Sequence, residues 1–264
     1  MLKLENIFKT FNAGTVNEKI ALKDLNLHLK EGEFVTVIGG NGAGKSTLLN
    51  CVAGVYGVEQ GQILIDGIDV THLPEYKRAK YIGRVFQDPM MGTAATMQIE
   101  ENLALAARRG QPRTLRSGIT KADREFYQEQ LKILDLGLED RMTAKVGLLS
   151  GGQRQALTLL MATLQQPKLL LLDEHTAALD PKTAGKVLEA TQKIVSKSGL
   201  TTLMITHNMR DAITYGDRLI MMYDGHIVVD VSGEEKKKLT VADLLEKFKV
   251  SAGEELNNDR ILLS

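Results

Sequence analysis

The sequence predicts an α/β fold built on a mostly parallel sheet. Short apolar segments recur along the chain with helical stretches between them, which is the pattern of buried parallel strands joined by helices. Leu2–Phe8 and Ala21–Leu29 instead follow one another without a helix, so we expect an antiparallel pair flanking the main sheet. The strands expected elsewhere are Phe34–Ile38, Ile63–Ile65, Ile82–Phe86, Leu169–Leu172, Thr201–Thr206 and Leu219–Met222.

Between about residues 88 and 148 the strand signals stop, and amphipathic helices are predicted instead. The first has Thr96 as its expected N-cap. Its apolar face is formed by Ile99, Leu103 and Ala107. The second opens on a capping box made by Thr120 and Asp123. The residues that this second helix is expected to bury are Phe126, Leu131 and Leu134.

Composition limits the class of protein. The 264 residues carry 33 basic and 33 acidic side chains, so the formal net charge is zero. A nucleic-acid partner is therefore a poor hypothesis, because the chain lacks the excess of basic residues that is typical of proteins that bind nucleic acid. Cys51 is the single cysteine, so a cytosolic setting and a buried, inert thiol are expected. We find no signal peptide and no apolar run that would span a bilayer.

One motif points to phosphate chemistry. Gly39-Gly-Asn-Gly-Ala-Gly44-Lys45-Ser46 fits the pattern G-x-x-x-x-G-K-[ST] and lies between an apolar strand and a helix. Backbone N–H groups of such a loop wrap phosphate oxygens. We expect Lys45 to reach the β- and γ-phosphates and the Ser46 hydroxyl to ligate Mg²⁺. Taken alone, the motif also fits a glycine-rich turn without a ligand. The expected phosphate-binding residues are Gly39, Gly40, Asn41, Gly42, Ala43, Gly44, Lys45, Ser46 and Thr47.

Two acidic residues end the apolar run Leu169–Leu172. Asp173 at the strand tip is placed to hold Mg²⁺, and Glu174 one step further is placed to polarise an attacking water. The same pair would also fit a strand end that simply meets solvent. The two acidic residues therefore indicate a catalytic role only in combination with the phosphate loop.

A helix start supplies the third feature. Ser150 and Gln153 in Leu149-Ser-Gly-Gly-Gln-Arg-Gln155 form a capping box. Gly151 and Gly152 between them give this helix start little side-chain bulk, which we interpret as room for an anion. A well-capped amphipathic helix is the alternative interpretation, and on its own it does not explain the two glycines.

"LSGGQRQ", about twenty residues before "LLLLDE", resembles the signature of the ATP-binding cassette (ABC) ATPases. The resemblance covers nearly the whole chain and implies an ATPase that uses ATP and Mg²⁺. It implies that Phe11 stacks on adenine and that Gln87 contacts Mg²⁺ and the attacking water. It further matches Asp180 to the family's D-loop and His207 to a histidine that contacts the γ-phosphate.

The chain departs from the family pattern at two positions. Gly40 and His175 each stand where proline is usual. Neither change removes a phosphate-binding donor or a metal ligand, so the expected activity is unaffected. Glycine widens the accessible backbone space at residue 40. We expect His175 to be a structural residue, with contact to an opposite subunit as the alternative.

The resemblance implies a head-to-tail dimer, because one copy of the family's fold does not bring its signature helix to its own nucleotide. A homodimer is the simpler expectation, with Ser150 and Gly152 of one chain facing Lys45 and Ser46 of the other. The chain would power a membrane permease from the cytoplasmic side. Met90, Met91 and Met97 suit contact with permease subunits, although a core role fits them equally.

The resemblance further implies an importer of amino acids or similar small solutes that works with an extracytoplasmic substrate-binding protein. An exporter or a lipid-extraction ATPase is one alternative, and a protein acting on nucleic acid or ribosomes is a weaker one. A single domain is predicted over residues 1–250, with a nucleotide-binding core at about 1–87 and 149–230. The helical subdomain would span about 88–148, and residues 251–264 would form a tail.

Overall fold

The computed structural model describes residues 1–111 and 118–252. Most of the predicted tail, from residue 253 onward, lies outside the described residues. The strands are β1 (Leu2–Phe11), β2 (Lys19–Leu29), β3 (Phe34–Ile38), β4 (Gln60–Ile65), β5 (Ile68–Asp69), β6 (Ile82–Val85), β7 (Leu169–Asp173), β8 (Thr201–Ile205), β9 (Arg218–Tyr223) and β10 (His226–Ser232). The helices are α1 (Lys45–Ala53), α2 (Glu75–Arg78), α3 (Ile99–Ala107), α4 (Lys121–Lys132), α5 (Gly151–Thr163), α6 (Pro181–Ser198), α7 (Met209–Thr214), α8 (Gly233–Lys238) and α9 (Val241–Ala252).

Contacts divide the chain into two compact units. The first unit contains residues 1–78 and the chain from residue 199 onward, and the second contains residues 79–198. Each unit has more contacts within itself than with the other. The predicted division into a nucleotide-binding core and a helical subdomain stays a prediction. Within the described ranges, no helix is both long enough and apolar enough to cross a lipid bilayer.

An antiparallel sheet begins the first unit. Its strand order is β2-β1-β4-β5, and β1 pairs with β2 so that Leu2 faces Leu29 at one end and Phe11 faces Lys19 at the other. Alternate residues of the inner faces are buried, as expected for a sheet covered on one side. The predicted antiparallel pair is therefore confirmed.

Parallel strands form the second sheet of the first unit. β3 lies between β8 and β9, with Val37 opposite Ile205 on one side and Ile220 on the other. Every residue of β3 is buried, which explains its nearly continuous apolar sequence; the hydroxyl of Thr36, its polar residue, donates to the carbonyl of Ala212 at 2.9 Å. β10 adds to β9 in antiparallel orientation. The carboxyl ends of β3 and β8 therefore finish level with each other.

The second unit contains one parallel strand pair and its helices. β6 pairs with β7 in a register that places Val85 opposite Leu172. Leu169 to Leu172 are fully buried, as their uninterrupted apolar run predicts. The mostly parallel α/β architecture predicted from the sequence is confirmed.

The start of α3 corrects one expectation. Thr96 is not its N-cap; the helix begins at Ile99, and the carboxylate of Glu101 accepts a hydrogen bond from the N–H of Gln98 at 2.7 Å. The reason is that the preceding backbone is held extended: the N–H of Val146 donates to the carbonyl of Met97 at 3.0 Å. A helix cannot begin until this pairing ends.

The buried face of α4 corrects another expectation. Leu131 and Leu134 are buried as predicted, but Phe126 is 47% exposed and its neighbour Tyr127 is buried instead. Positions 127 and 131 have the spacing i, i+4 of a single helical face, whereas position 126 lies off that face, and Leu134 follows the end of the helix. The capping box of Thr120 and Asp123 is present as predicted.

Candidate functional site

The predicted phosphate loop leaves the carboxyl end of β3. Gly39 and Gly44 have φ angles of +149° and +101°, which residues with a side chain rarely adopt. A Cβ at Gly39 would overlap the carbonyl oxygen of Met222, and one at Gly44 would lie 2.6 Å from the carbonyl oxygen of Ala21. Glycine is therefore required at both positions by conformation and by the close approach of β9 and β2.

Lys45 is held inside this loop. Its Nζ donates to the carbonyl oxygens of Gly39 at 2.7 Å and Gly40 at 3.1 Å, and the residue is only 5% exposed. Lys45 is also the first residue of α1, so the loop leads directly into the positively polarised N-terminus of this helix. The loop thus combines an ammonium with the positive end of a helix, which favours an anion.

The far end of α1 is anchored by a buried arginine. Nη1 of Arg78 donates to the carbonyls of Cys51 at 2.8 Å and Val52 at 2.9 Å. These carbonyls belong to the last turn of the helix, where a cation is electrostatically favourable. Arg78 therefore stabilises the helix whose first turn carries Lys45, Ser46 and Thr47.

His207 lies at the same sheet edge as the phosphate loop. It follows the carboxyl end of β8 by two residues, as Gly39 follows Val37 on the neighbouring strand. The N–H of Thr206 donates to the carbonyl of Val37 at 3.1 Å, so this register continues to the residue before His207. The histidine is exposed at this edge, where ligands of parallel α/β sheets gather.

Phe11 ends β1 and is half-buried. Its ring packs edge-to-face against Tyr56, with 5.2 Å between the ring centroids, and Nζ of Lys9 lies 5.3 Å from the Phe11 centroid. Tyr56 follows α1 and was not singled out by the sequence, because a tyrosine in a short loop carries no signal of its own. The aromatic pair gives a nucleobase a platform, and stacking of adenine on Phe11 stays a prediction.

The second unit brings the two acids and Gln87 to one sheet edge. Asp173 is the last residue of β7 and Glu174 follows it, while Gln87 follows the neighbouring β6 by two residues. The Nε2 of Gln155 donates to the carbonyl of Phe86 at 3.0 Å and fixes the chain just before Gln87. Three predicted residues are thus gathered by adjacent parallel strands.

Glu174 has a special backbone conformation. Its φ of +47° is left-handed, which is uncommon for a residue other than glycine, asparagine or aspartate. The chain turns sharply here, since the N–H of Ala177 donates to the Glu174 carbonyl at 2.9 Å. Such strain is concentrated at functional sites.

An arginine that the sequence did not single out contacts the Asp173 carboxylate. Nη2 of Arg84 lies 3.6 Å from Oδ2 of Asp173, and its guanidinium stacks on the Phe86 ring at 4.6 Å. Arg84 is on β6, the partner strand of β7. Only the strand pairing reveals this contact, because 89 positions separate the two residues along the sequence.

Ser150 and Gln153 form the predicted capping box at the start of α5. The Ser150 Oγ accepts from the N–H of Gln153 at 3.3 Å, and the Gln153 Oε1 accepts from the N–H of Ser150 at 3.2 Å. A Cβ at Gly152, however, would overlap the Cγ2 of Thr183 on α6, and one at Gly151 would lie 3.3 Å from Leu179. Helix packing therefore explains Gly152, and the argument that only an anion explains both glycines is wrong.

Asp180 caps the next helix. Its Oδ1 accepts from the N–H of Thr183 at 3.1 Å, directly before the Pro181 that begins α6. Hydrogen bonds from Thr183 lower the pKa of the Asp180 carboxyl, so it stays ionised at the positive end of the helix. This capping role accounts for the residue type without a ligand, and a D-loop role stays a prediction.

The residues present fit a magnesium ion held together with nucleotide phosphates. Among residues 1–111 and 118–252, no group of three or more His, Cys, Asp or Glu side chains could form a metal cage. Mg²⁺ commonly uses one or two protein ligands and takes the others from phosphates and water. Gln87 and Asp173 of the second unit carry oxygens of the type that Mg²⁺ prefers, and so does the Ser46 hydroxyl of the first unit. Their joint binding of one Mg²⁺ ion stays a prediction.

These features define a class of protein: a phosphate-loop nucleotide hydrolase with a glycine-rich helix start in its second unit. The family model described as "ABC transporter" matches residues 22–177. The tyrosine transport ATP-binding protein of Clostridioides difficile is 46% identical over 248 residues, covering 94% of this chain and 98% of that protein. The phosphonates import ATP-binding protein PhnC of Lactobacillus johnsonii is 34% identical, with 97% and 99% coverage.

Solved structures agree with this assignment. A dimeric post-hydrolysis state of the ATP-binding cassette MJ0796 bound to ADP and Pi has a TM-score of 0.74 at 33% identity, covering 88% of this chain and 98% of that one. The ADP conformation of the cassette MJ1267 has a TM-score of 0.78 at 27% identity, with 94% and 98% coverage. The chain therefore belongs to the ABC transporter family and is an ATP-binding, ATP-hydrolysing cassette.

Proposed function

We propose that this chain is the ATPase subunit of an importer of amino acids or similar small solutes. The observation that carries an amino-acid solute is the 46% identity, over 94% of the chain, to a tyrosine transport ATP-binding protein. Relatives named for phosphonate and for spermidine/putrescine import support the direction of transport and a small solute. In this proposal ATP binding and hydrolysis drive the closing and opening of a dimer.

In the first unit, the loop from Gly39 to Thr47 binds the phosphates of ATP. The fixed ammonium of Lys45 neutralises the β- and γ-phosphates, and the first-turn amides of α1 donate to their oxygens. Phe11 stacks on adenine. His207 contacts the γ-phosphate from the end of β8. The first unit therefore binds the γ-phosphate through this histidine as well as through the phosphate loop.

The remaining chemistry belongs to oxygen-bearing side chains. Ser46, Asp173 and Gln87 would hold Mg²⁺, which when bound supplies positive charge to the phosphate oxygens. Glu174 accepts a proton from, or orients, the attacking water. The left-handed backbone at Glu174 and the hydrogen bond from Gln155 to the Phe86 carbonyl set the path of the chain at Glu174 and just before Gln87, the two residues to which we assign the water.

The signature helix acts on the ATP held by a second copy of the chain. Ser150, Gly151, Gly152 and Gln153 present the positive end of α5, and Asp180 lies at the start of the adjacent α6. A dimer is supported by the dimeric cassette structures with which this chain aligns, and we propose that two copies of this chain pair head to tail. Bound ATP then completes the interface between the two chains, and hydrolysis of ATP lets the two chains separate.

Contact with a permease at the cytoplasmic face is assigned to the segment after Gln87. Met90 and Met91 are 49% and 68% exposed, and Met97 is half-buried. Nη1 of Arg154 contacts the sulfur of Met90, while its Nη2 donates to the carbonyl of Gly147 at 3.2 Å. One side chain of the signature helix therefore contacts both the Met90 segment and the loop before Ser150. In this proposal, Arg154 relays a permease contact at Met90 to the signature.

An exporter or a lipid-extraction ATPase is the alternative transport function, since the same ATPase serves either direction. Action on nucleic acid or ribosomes is disfavoured by the zero net charge. Import also implies an indirect partner, an extracytoplasmic substrate-binding protein that delivers solute to the permease.

The proposal is tested by transport of tyrosine out of proteoliposomes that carry the ATPase chain on their outer face. The chain is purified in mild detergent with the permease that accompanies it, and the complex is reconstituted with ATP outside, at the face of the chain, and labelled tyrosine inside with the binding protein. We expect tyrosine to accumulate on the ATP side with wild type and not with Glu174→Gln. In vesicles loaded the other way, with labelled tyrosine outside, ATP-dependent uptake into the lumen would establish an exporter. ATPase stimulation by DNA or ribosomes without a permease would refute transport.

A further inference from the structure

Strand β2 runs alongside the phosphate loop within the first unit. A Cβ at Gly44 would lie 2.6 Å from the carbonyl oxygen of Ala21, and one at Gly42 would lie 3.1 Å from the Nζ of Lys19. The two contacts are two residues apart on both segments. The strand therefore follows the loop, and the Lys19 ammonium lies beside Gly42.

Lys19 also lies next to the predicted base platform. It is the direct partner of Phe11 in the antiparallel pair of β1 and β2. Directly paired residues of such a ladder project their side chains on the same face, about 4.5–5.5 Å apart at Cβ. Lys19 is thus the residue that connects Phe11 to the loop.

The charge of Lys19 is not used elsewhere among the residues that the structure describes. Lys9 pairs with Glu59 at 2.6 Å and Lys23 pairs with Asp224, whereas no carboxylate of the described ranges forms an ion pair with Lys19. The neighbouring Glu18 is engaged with the N–H of Gly14 at 2.6 Å. A lysine added to a loop that already holds an ammonium and a helix N-terminus indicates an anionic ligand.

We propose that Lys19 is a further nucleotide-binding residue whose ammonium pairs with the phosphate next to the ribose. Adenine is assigned to Phe11 and the two outer phosphates to Lys45, so a cation between Phe11 and Gly42 meets the part of the nucleotide between them. The inference rests on the proposed role of the phosphate loop. It adds a residue that the loop motif does not contain.

The phosphate next to the ribose is common to ATP and ADP. Lys19 therefore binds substrate and product equally, and such uniform binding changes KM without changing kcat. This behaviour separates Lys19 from a purely structural residue, whose loss would lower kcat and the stability of the loop as well. It also separates Lys19 from a γ-phosphate ligand, whose loss would weaken ATP alone.

Isothermal titration of ATP and of ADP into the purified full chain tests the proposal. We expect Lys19→Met to weaken both nucleotides by the same factor, about fivefold, and Lys19→Arg to restore most of the affinity. ATPase assays should give a raised KM for ATP with an unchanged kcat. Lys3→Met is the matched control: Lys3 lies opposite His28 near the other end of the same strand pair and should bind as wild type does.

The outcomes separate the two proposals. Suppose that wild type binds ATP. If Lys19→Met then binds ATP and ADP with wild-type affinity, or loses affinity for ATP alone, the role of Lys19 is refuted while the phosphate loop stands. If the loss is no greater than in Lys3→Met, Lys19 acts only through net charge and the proposal is also refuted. If wild type binds neither nucleotide, the proposed function itself fails.

Discussion

The imidazole Nε2 of His175 lies 3.1 Å from the hydroxyl oxygen of Thr191. The Thr191 hydroxyl donates its single proton to the carbonyl of Val187 at 2.8 Å, so it accepts from His175 and Nε2 carries the proton. The imidazole is 2% exposed, and burial lowers its pKa to about 4. His175 is therefore a neutral hydrogen-bonding residue of the interior, which supports the structural role expected for it.

This pairing predicts a loss of stability in mild acid. The unfolded chain binds a proton at His175 below about pH 6.5, whereas the folded chain does so only near pH 4. The contribution of neutral His175 to the free energy of unfolding is fully present above pH 6.5, and it falls by about 3 kcal/mol as the pH drops to 4. Urea unfolding at pH 7 and pH 5 measures it. His175→Gln keeps a donor and cannot titrate, so an equal loss in this variant would contradict the prediction.

The phosphate loop predicts opposite outcomes for two glycine-to-alanine changes. Gly44→Ala places a Cβ 2.6 Å from the Ala21 carbonyl at a φ of +101° and should abolish ATP binding, with a cost of at least about 1–2 kcal/mol in stability. Gly40→Ala meets nothing within 4 Å and should bind ATP normally. Calorimetry of both variants checks this pair. Normal ATP binding by Gly44→Ala would mean that the loop geometry is not required.

Cys51 is predicted to be unreactive in the folded protein. Burial in α1 raises the pKa of its thiol to about 11, so little thiolate forms at pH 8 and reagents do not reach it. Ellman's reagent should label none of the native protein and one thiol per chain in urea. The thiol of the unfolded chain ionises near pH 9. The contribution of the protonated Cys51 thiol to the free energy of unfolding is therefore lost as the pH rises from 9 to 11. Rapid labelling of the native protein would refute the buried placement.

Exposed methionines predict a separation of coupling from catalysis. Met90→Asp combined with Met91→Asp should leave ATP binding by the isolated chain unchanged and should abolish transport by the reconstituted complex, because charges replace apolar contacts. Val16→Asp, at an exposed apolar residue of the first unit, is the control and should transport normally. Wild-type transport by the double variant would show that these methionines do not contact the permease.

Much of the fold was predictable because buried parallel strands have nearly continuous apolar sequences. The prediction of Phe34–Ile38 matches β3 at both ends, and that of Leu169–Leu172 misses only the last residue of β7. The errors come from tertiary context. Thr96 has the chemistry of an N-cap, but backbone pairing of Met97 with Val146 delays the helix.

The site was predictable where a motif prescribes its backbone. Gly39, Gly44 and Lys45 lie where the phosphate-loop pattern places them, because the pattern specifies a turn, a close approach and a helix start. Contacts between distant segments were missed. Neither Lys19 beside Gly42 nor Arg84 beside Asp173 leaves a local sequence signal, since each depends on which strands are neighbours.

The central claim, that this chain hydrolyses ATP with Glu174 handling the water in a nucleotide-bridged dimer, is tested most directly by size exclusion of Glu174→Gln in saturating Mg-ATP. The substitution keeps the size of the side chain and removes the proton acceptor. We expect a stable dimer containing two ATP molecules and no phosphate release, with wild type monomeric after turnover. A variant that stays monomeric, or that releases phosphate at the wild-type rate, would contradict the account.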